Sequence, residues 1–229
     1  MRIFIKGKAV PFATKLEKDW KETLRNQIPS QKEGITYRGL KLIFHLESLH
    51  HNKQPFDLDN LVEPVLSVLV NEKGYFGGKR ANIIWWYARK TINAFEGVEI
   101  ELSKNSPPSI KGKLLIDDIY SGEMPRSAKS KEIPEWLASK GIKPAKQGDK
   151  FSLHLSFPER INIGDIATGV VKSTIDCLYP LIGGTAGSPE DWRIDEMLVE
   201  KGNFSDILIK IFAGGEKKKK KLLISRNPF

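Results

Sequence analysis

The chain has 229 residues, 40% of them apolar, enough for one large domain or two small ones with cores of their own. Lys and Arg number 37 against 28 Asp and Glu, a balance of +9 that favours polyanionic partners. Lys217–Lys221 and Arg226 against Glu216 place +5 of that in the tail and leave the body at +4. One cysteine, Cys177, excludes an intrachain disulfide, and no apolar run approaches the roughly 18 residues that span a bilayer. Met1–Lys6 turns charged too soon for a signal peptide, so neither membrane nor secretion is indicated and a cytoplasmic location is expected.

In chain order, the pattern predicts a strand at Ile3–Ile5 and a helix from about Thr14, with Leu16, Trp20, Leu24 and Ile28 at helical spacing. A strand at Leu40–Glu47 follows, then a polar loop in which His50 and His51 are expected to be solvated. Asp57-Leu58-Asp59-Asn60-Leu61 opens a helix with the apolar stripe Leu61, Val65, Val68 and Leu69. Asn60 and Glu63 read as its capping box, and Pro64 as a residue of its first turn. Gly74, Gly77 and Gly78 break the chain before strands at Asn82–Arg89 and Val98–Leu102, and Asn105–Ser109 is a Pro/Ser linker.

The same order then starts again: strand Leu114–Ile116, helix Ile133–Ser139, strand Phe151–Phe157, helix Ile166–Leu178, a glycine loop, and strands Ile194–Val199 and Ile207–Phe212. Phe44-His45-Leu46 matches Leu153-His154-Leu155, and Ala88-Arg89-Lys90 matches Val199-Glu200-Lys201. The expected fold class is α+β, two tandem β-α-β-α-β-β units at 1–105 and 106–213, with a Lys-rich tail at 214–229.

Asp is a common helix N-cap, and an isolated Asp-x-Asp is structural more often than catalytic. Here the surrounding plan gives the pair further meaning. Asp57-Leu58-Asp59-Asn60-Leu61, followed by an apolar helix, a glycine turn and a strand, resembles the motif of the RusA family of Holliday junction resolvases. Glu190-Asp191-Trp192-Arg193-Ile194 is similar to the Asp-Asp pair that opens that family's next strand, and the match runs on to Lys201. The family's members are homodimers that cut four-way DNA junctions with magnesium, in recombination and repair. The resemblance therefore implies a fused pseudo-dimer, Asp57, Asp59 and Asp191 as catalytic and metal-binding residues with Glu190 as a further ligand, and Mg2+ as cofactor. Magnesium prefers clustered carboxylate oxygens, and it supplies a polarised phosphate and an activated water.

Neither half carries the whole set. With an offset of 105, Asp57 falls on Asn162 and Asp59 on Gly164; with an offset of 111, Glu190 and Asp191 fall on Lys79 and Arg80. The basic residue that the family places four positions after its second Asp is Glu63 in one half and Thr168 in the other. Lys79 or Arg80 placed near Asp57 and Asp59 would neutralise them and put a salt bridge where a metal would sit. Sites built within one half, the arrangement favoured by the resemblance, would both be damaged; Asp57 and Asp59 meeting Asp191 across the axis would leave one composite site.

Trp85 and Trp86, in a stretch apolar on both strand faces, are expected in the core or between the halves. Gly183–Ser188 reads as a flexible loop without a P-loop ending, and Ser121–Lys131 as a basic loop. Lys79, Arg80 and the tail residues Lys217, Lys218, Lys219, Lys220 and Lys221 are candidate nucleic-acid contacts. The expected function is engagement of branched or structured DNA, with at most one Mg-dependent endonuclease site. The alternative is a scaffold subunit that binds a protein partner through the Trp85/Trp86 strand or the tail; neither reading invokes a small-molecule cofactor.

Overall fold

The computed structural model describes every residue except 33, 49, 52, 53, 142, 143, 145, 147, 204 and 215–229, and omits the side chains of 50, 51 and 54. The expectations for His50, His51 and Lys217–Lys221 therefore lie outside the described residues. The fold is mixed α+β, built on one eight-stranded sheet. Its strands are β1 (Arg2–Lys6), β2 (Gly39–Leu46), β3 (Trp85–Ile92), β4 (Gly97–Ser103), β5 (Lys113–Tyr120), β6 (Phe151–Pro158), β7 (Ile194–Gly202) and β8 (Ile207–Ala213). The helices are α1 (Glu17–Gln27), α2 (Leu58–Leu66), α3 (Glu132–Ser139), α4 (Val170–Asp176) and the single turn α5 (Tyr179–Ile182). No helix among the described residues is long and apolar enough to cross a membrane.

The strand order is β1-β4-β2-β3-β7-β6-β8-β5, so the second half repeats the first in mirror sequence. Within each half the inner pair is parallel, β2 with β3 and β6 with β7; the halves join where β3 and β7 run antiparallel. At that seam Tyr87 lies opposite Leu198, and these two are also related by the 111-residue offset. A pseudo-two-fold axis therefore passes between them. Two reciprocal bonds follow it: Lys90 donates to the Trp192 carbonyl and Lys201 to the Ala81 carbonyl, each at 2.7 Å, and the two donors, like the two acceptors, are 111 residues apart.

Period-two alternation explains which face is covered. Leu40, Leu42 and Phe44 on β2, and Leu153, Leu155 and Phe157 on β6, point into one core that spans both halves. The other face is open except near the axis, where Ile110 of the linker packs on Trp85, Tyr87 and Leu198, and the Trp85 indole donates to the Asn105 carbonyl at 3.0 Å.

Several local expectations change. Phe44 lies opposite Lys90 and Phe157 opposite Lys201, so the counterpart of Phe44 is Phe157, not Leu153, and the His45/His154 match dissolves. His45 instead meets Glu99, and His154 meets Glu200, each at 2.8 Å. Residues Arg80–Asn82 form a 3-10 turn, which delays β3 to Trp85. Gly169, extended, holds the start of α4 back to Val170.

At α2 the N-cap is Asp57, not Asn60. Asn60 lies one turn in and donates to Asp57 Oδ2 at 3.0 Å, while Glu63 turns to Arg80, so no capping box forms. Pro64 lies beyond the first turn, where it cannot donate to the Asn60 carbonyl; the Phe12 amide takes that acceptor at 2.8 Å.

Candidate functional site

The seam brings the start of α2 from one half against α4 and the turn before β7 from the other. Asp59, 1% exposed, and Asp191, 5% exposed, face each other across a single ammonium. Lys172 Nζ lies 2.8 Å from Asp59 Oδ2, 2.9 Å from Asp191 Oδ2 and 3.0 Å from Asp176 Oδ1. Two oxygens within 3 Å of one nitrogen are themselves within about 6 Å, so the Asp59 and Asp191 carboxylates do meet across the halves. The arrangement is composite.

Negative charge exceeds positive charge in this buried space. Burial first, then Asp191 and Asp59, pushes the Asp57 carboxyl up to about 8. Asp191 is raised by burial and by Asp59, against the pull of Lys172, and it titrates together with Asp57. Asp176 rises to about 6 through burial, opposed by Lys172. Lys172 itself is pushed upward, its three carboxylates outweighing its own desolvation, so it stays an ammonium. Beside this cluster Lys90 donates to the carbonyls of Phe56 and Trp192, both at 2.7 Å, and its burial lowers it to about 8.

The sign of the Asp57 shift makes a pH prediction. A carboxyl raised in the folded state contributes stability below its unfolded value near 4, and that contribution is lost as pH climbs through about 8. Asp57→Asn keeps a donor toward Asp191 without the ionisation. The variant is expected to gain about 4 kcal/mol on the wild type between pH 5 and pH 8.5, read from urea midpoints. An unchanged difference across that range would show that Asp57 is already ionised at pH 5.

The opposite corner of the seam is the same construction with its charges exchanged. Arg80, counterpart of Asp191, makes a bidentate pair with Glu63 at 2.7 and 2.8 Å and donates to the Gly164 carbonyl at 3.2 Å. Gly164 is the counterpart of Asp59, and the neighbouring Ile163 carbonyl accepts the Trp86 indole N–H at 2.8 Å. Lys172 on α4 thus answers to Glu63 on α2: each forms the ion pair with the residue that opens its own half's seam strand. This corrects the assignment of that position to Thr168.

The remaining candidates separate. Glu190 turns away to Arg193 at 2.9 Å. Lys79 is exposed and Arg80 is held at the opposite corner, so neither neutralises Asp57 or Asp59. A salt bridge does form among the carboxylates, but its cation is Lys172. Sequence matching passed over Lys172; the signal was a lysine on the buried side of a helix, between Val171 and Ile175 and four residues before Asp176.

The donors suit a hard divalent cation: buried carboxylate oxygens in excess of the positive charge beside them. Among the described residues no three acidic, His or Cys side chains are arranged as a metal centre, because the Lys172 ammonium occupies the point on which they converge. Asp176, one helical turn away, is the third carboxylate on Lys172. No family model matches the chain, and no curated protein or solved structure matches it either.

Proposed function

We propose that this chain is a nucleic-acid-binding protein of RusA-like fold, a fused pseudo-dimer that engages branched DNA and retains one composite endonuclease site. The observation that carries the reading is the meeting of Asp57 and Asp59 from one half with Asp191 and Lys172 from the other. These are the three carboxylates and the basic residue that the resemblance calls for, divided between the halves so that only one corner has them all.

Mg2+ would be held by Asp57, Asp59 and Asp191, and when bound it would polarise the scissile phosphate and lower the pKa of an attacking water. The chain's own residues do the rest. Asp59 and Asp191 are fixed by burial and by Lys172, and Asn60 orients Asp57 through its 3.0 Å bond. Asp57 holds a proton at neutral pH that it gives up when positive charge arrives. Lys172 offers a positive donor for phosphate oxygens once it is released from the carboxylates.

Cleavage of synthetic four-way junctions tests this. Wild type with magnesium is expected to cut, and Asp59→Asn to bind the junction normally while losing at least about a hundredfold in rate. Equal rates, or no cutting by either protein, would defeat the nuclease reading.

The scaffold alternative rests on a different surface from the one expected. Trp85 and Trp86 are buried, 3% and 0% exposed, and are consumed within the chain. Exposed apolar area lies instead at Phe4, Ile92 and Phe95, where the Phe4 and Phe95 rings sit 5.9 Å apart beside His45.

A further inference from the structure

A cleft of about 570 Å3 opens beside the acidic cluster, on the side of Lys90 away from Asp57 and Asp191. Arg89, Lys90, Lys111 and Lys150 line it, with Asp195 and Glu196.

The halves differ here at two pairs of counterparts. At the opposite corner Trp85 lies over Gly39 so closely that a Cβ on that glycine would be 1.9 Å from the indole. Under the 111-residue offset Trp85 corresponds to Glu196, which pairs with Ser152 as Trp85 pairs with Gly39. Where a large aromatic ring fills one corner, the other holds a carboxylate and a hydroxyl, and the space stays open and polar.

Both acids in the cleft are already engaged. Glu196 accepts hydrogen bonds from the Tyr87 hydroxyl and from Ser152 Oγ, the latter at 3.1 Å. Asp195 Oδ1 lies 3.4 Å from Lys150 Nζ and 3.7 Å from Lys90 Nζ. Arg89 and Lys111 are exposed on the rim, and among the described residues neither forms an ion pair with a carboxylate. Four cations against two acids give the cleft a positive field. Its inner wall adjoins the acidic cluster: Lys90 is bonded to Phe56 and Trp192, the neighbours of Asp57 and Asp191.

We propose that this cleft seats the phosphodiester backbone of one nucleic-acid strand where it runs past the acidic cluster, with Arg89 and Lys111 as its phosphate contacts. The inference rests on the nucleic-acid reading above and adds a polarity to it, since the cleft adjoins the acidic cluster and the Trp85 ring fills the corresponding place over Gly39 at the other corner. A strand entering here meets two rim cations, then Lys150 over the Trp192 ring at 4.8 Å, then the cluster.

The test is binding without catalysis. Anisotropy of a labelled four-way junction in EDTA is followed across a salt series for wild type, for Arg89→Glu with Lys111→Glu, and for Arg2→Glu with Lys6→Glu at the far edge of the sheet. The cleft variant is expected to bind at least about tenfold more weakly at low salt, with a log-log salt slope shallower by about 2; the edge variant should match wild type. Wild-type affinity and slope in the cleft variant would overturn the cleft assignment and leave the nucleic-acid reading standing. Loss of equal size in both variants would also overturn it, and absence of junction binding by wild type would overturn both.

Discussion

A supercoiled plasmid bearing an extruded cruciform is expected to become nicked circles, with little linear DNA. A symmetric two-site resolvase has a reaction centre for each of two strands within one bound complex. Here the second corner holds Arg80, Glu63, Asn162 and Gly164 where the first holds Asp191, Lys172, Asp57 and Asp59. On the proposed reading one encounter would cut one strand, and the nick would release the supercoiling that keeps the cruciform extruded, so no junction would remain for a second cut. Agarose gels resolve the nicked and linear forms over time. Linear DNA as the main product would mean that two cuts occur in one complex, against the single-site geometry. Asp59→Asn should leave the plasmid supercoiled.

The second large effect concerns Lys172. It is the ammonium that neutralises Asp59 and Asp191, both almost without solvent, so Lys172→Met is expected to destabilise the fold by about 3–5 kcal/mol. Urea denaturation measures the loss. The same variant should become responsive to magnesium: millimolar Mg2+ should recover a large part of the midpoint, because the carboxylates then have no competing cation. Lys172→Met combined with Asp59→Asn should recover stability without magnesium and lose the response to it. A single variant as stable as wild type in EDTA would show that the cluster disposes of its charge by protonation alone, with Lys172 dispensable.

Much of the architecture was legible. Strands β2, β4, β6 and β8 carry apolar residues at alternate positions toward the core, and their predicted bounds differ by at most a residue or two. Asp57, Asp59 and Asp191 were also visible, since carboxylates before an apolar helix and before a strand are unusual enough to draw attention. The alignment of the halves was harder. It needs an offset of 105 at the acidic motif, 111 at β3 and β7, and 113 at β2 and β6, and a single running comparison cannot follow such shifts. That is why local similarity pairs His45 with His154 and gives Lys172 no counterpart. Glu63 and Arg80 are hard to read for a related reason. Neighbours in sequence suggest a cap for one and an acidic pair for the other, whereas their bidentate contact is set by how α2 lies over the turn before β3.

The Arg80–Glu63 pair also bears on how this molecule can change. Restoring the lost corner would mean exchanging both residues as well as Asn162 and Gly164. Glu63→Lys alone would set an ammonium against a guanidinium, and Arg80→Asp alone would set two carboxylates together in a largely buried place. Each intermediate is worse than either end, so the corner behaves as a ratchet. Stepwise substitution can tune the proposed centre, or lose it, but two equal centres lie beyond its reach.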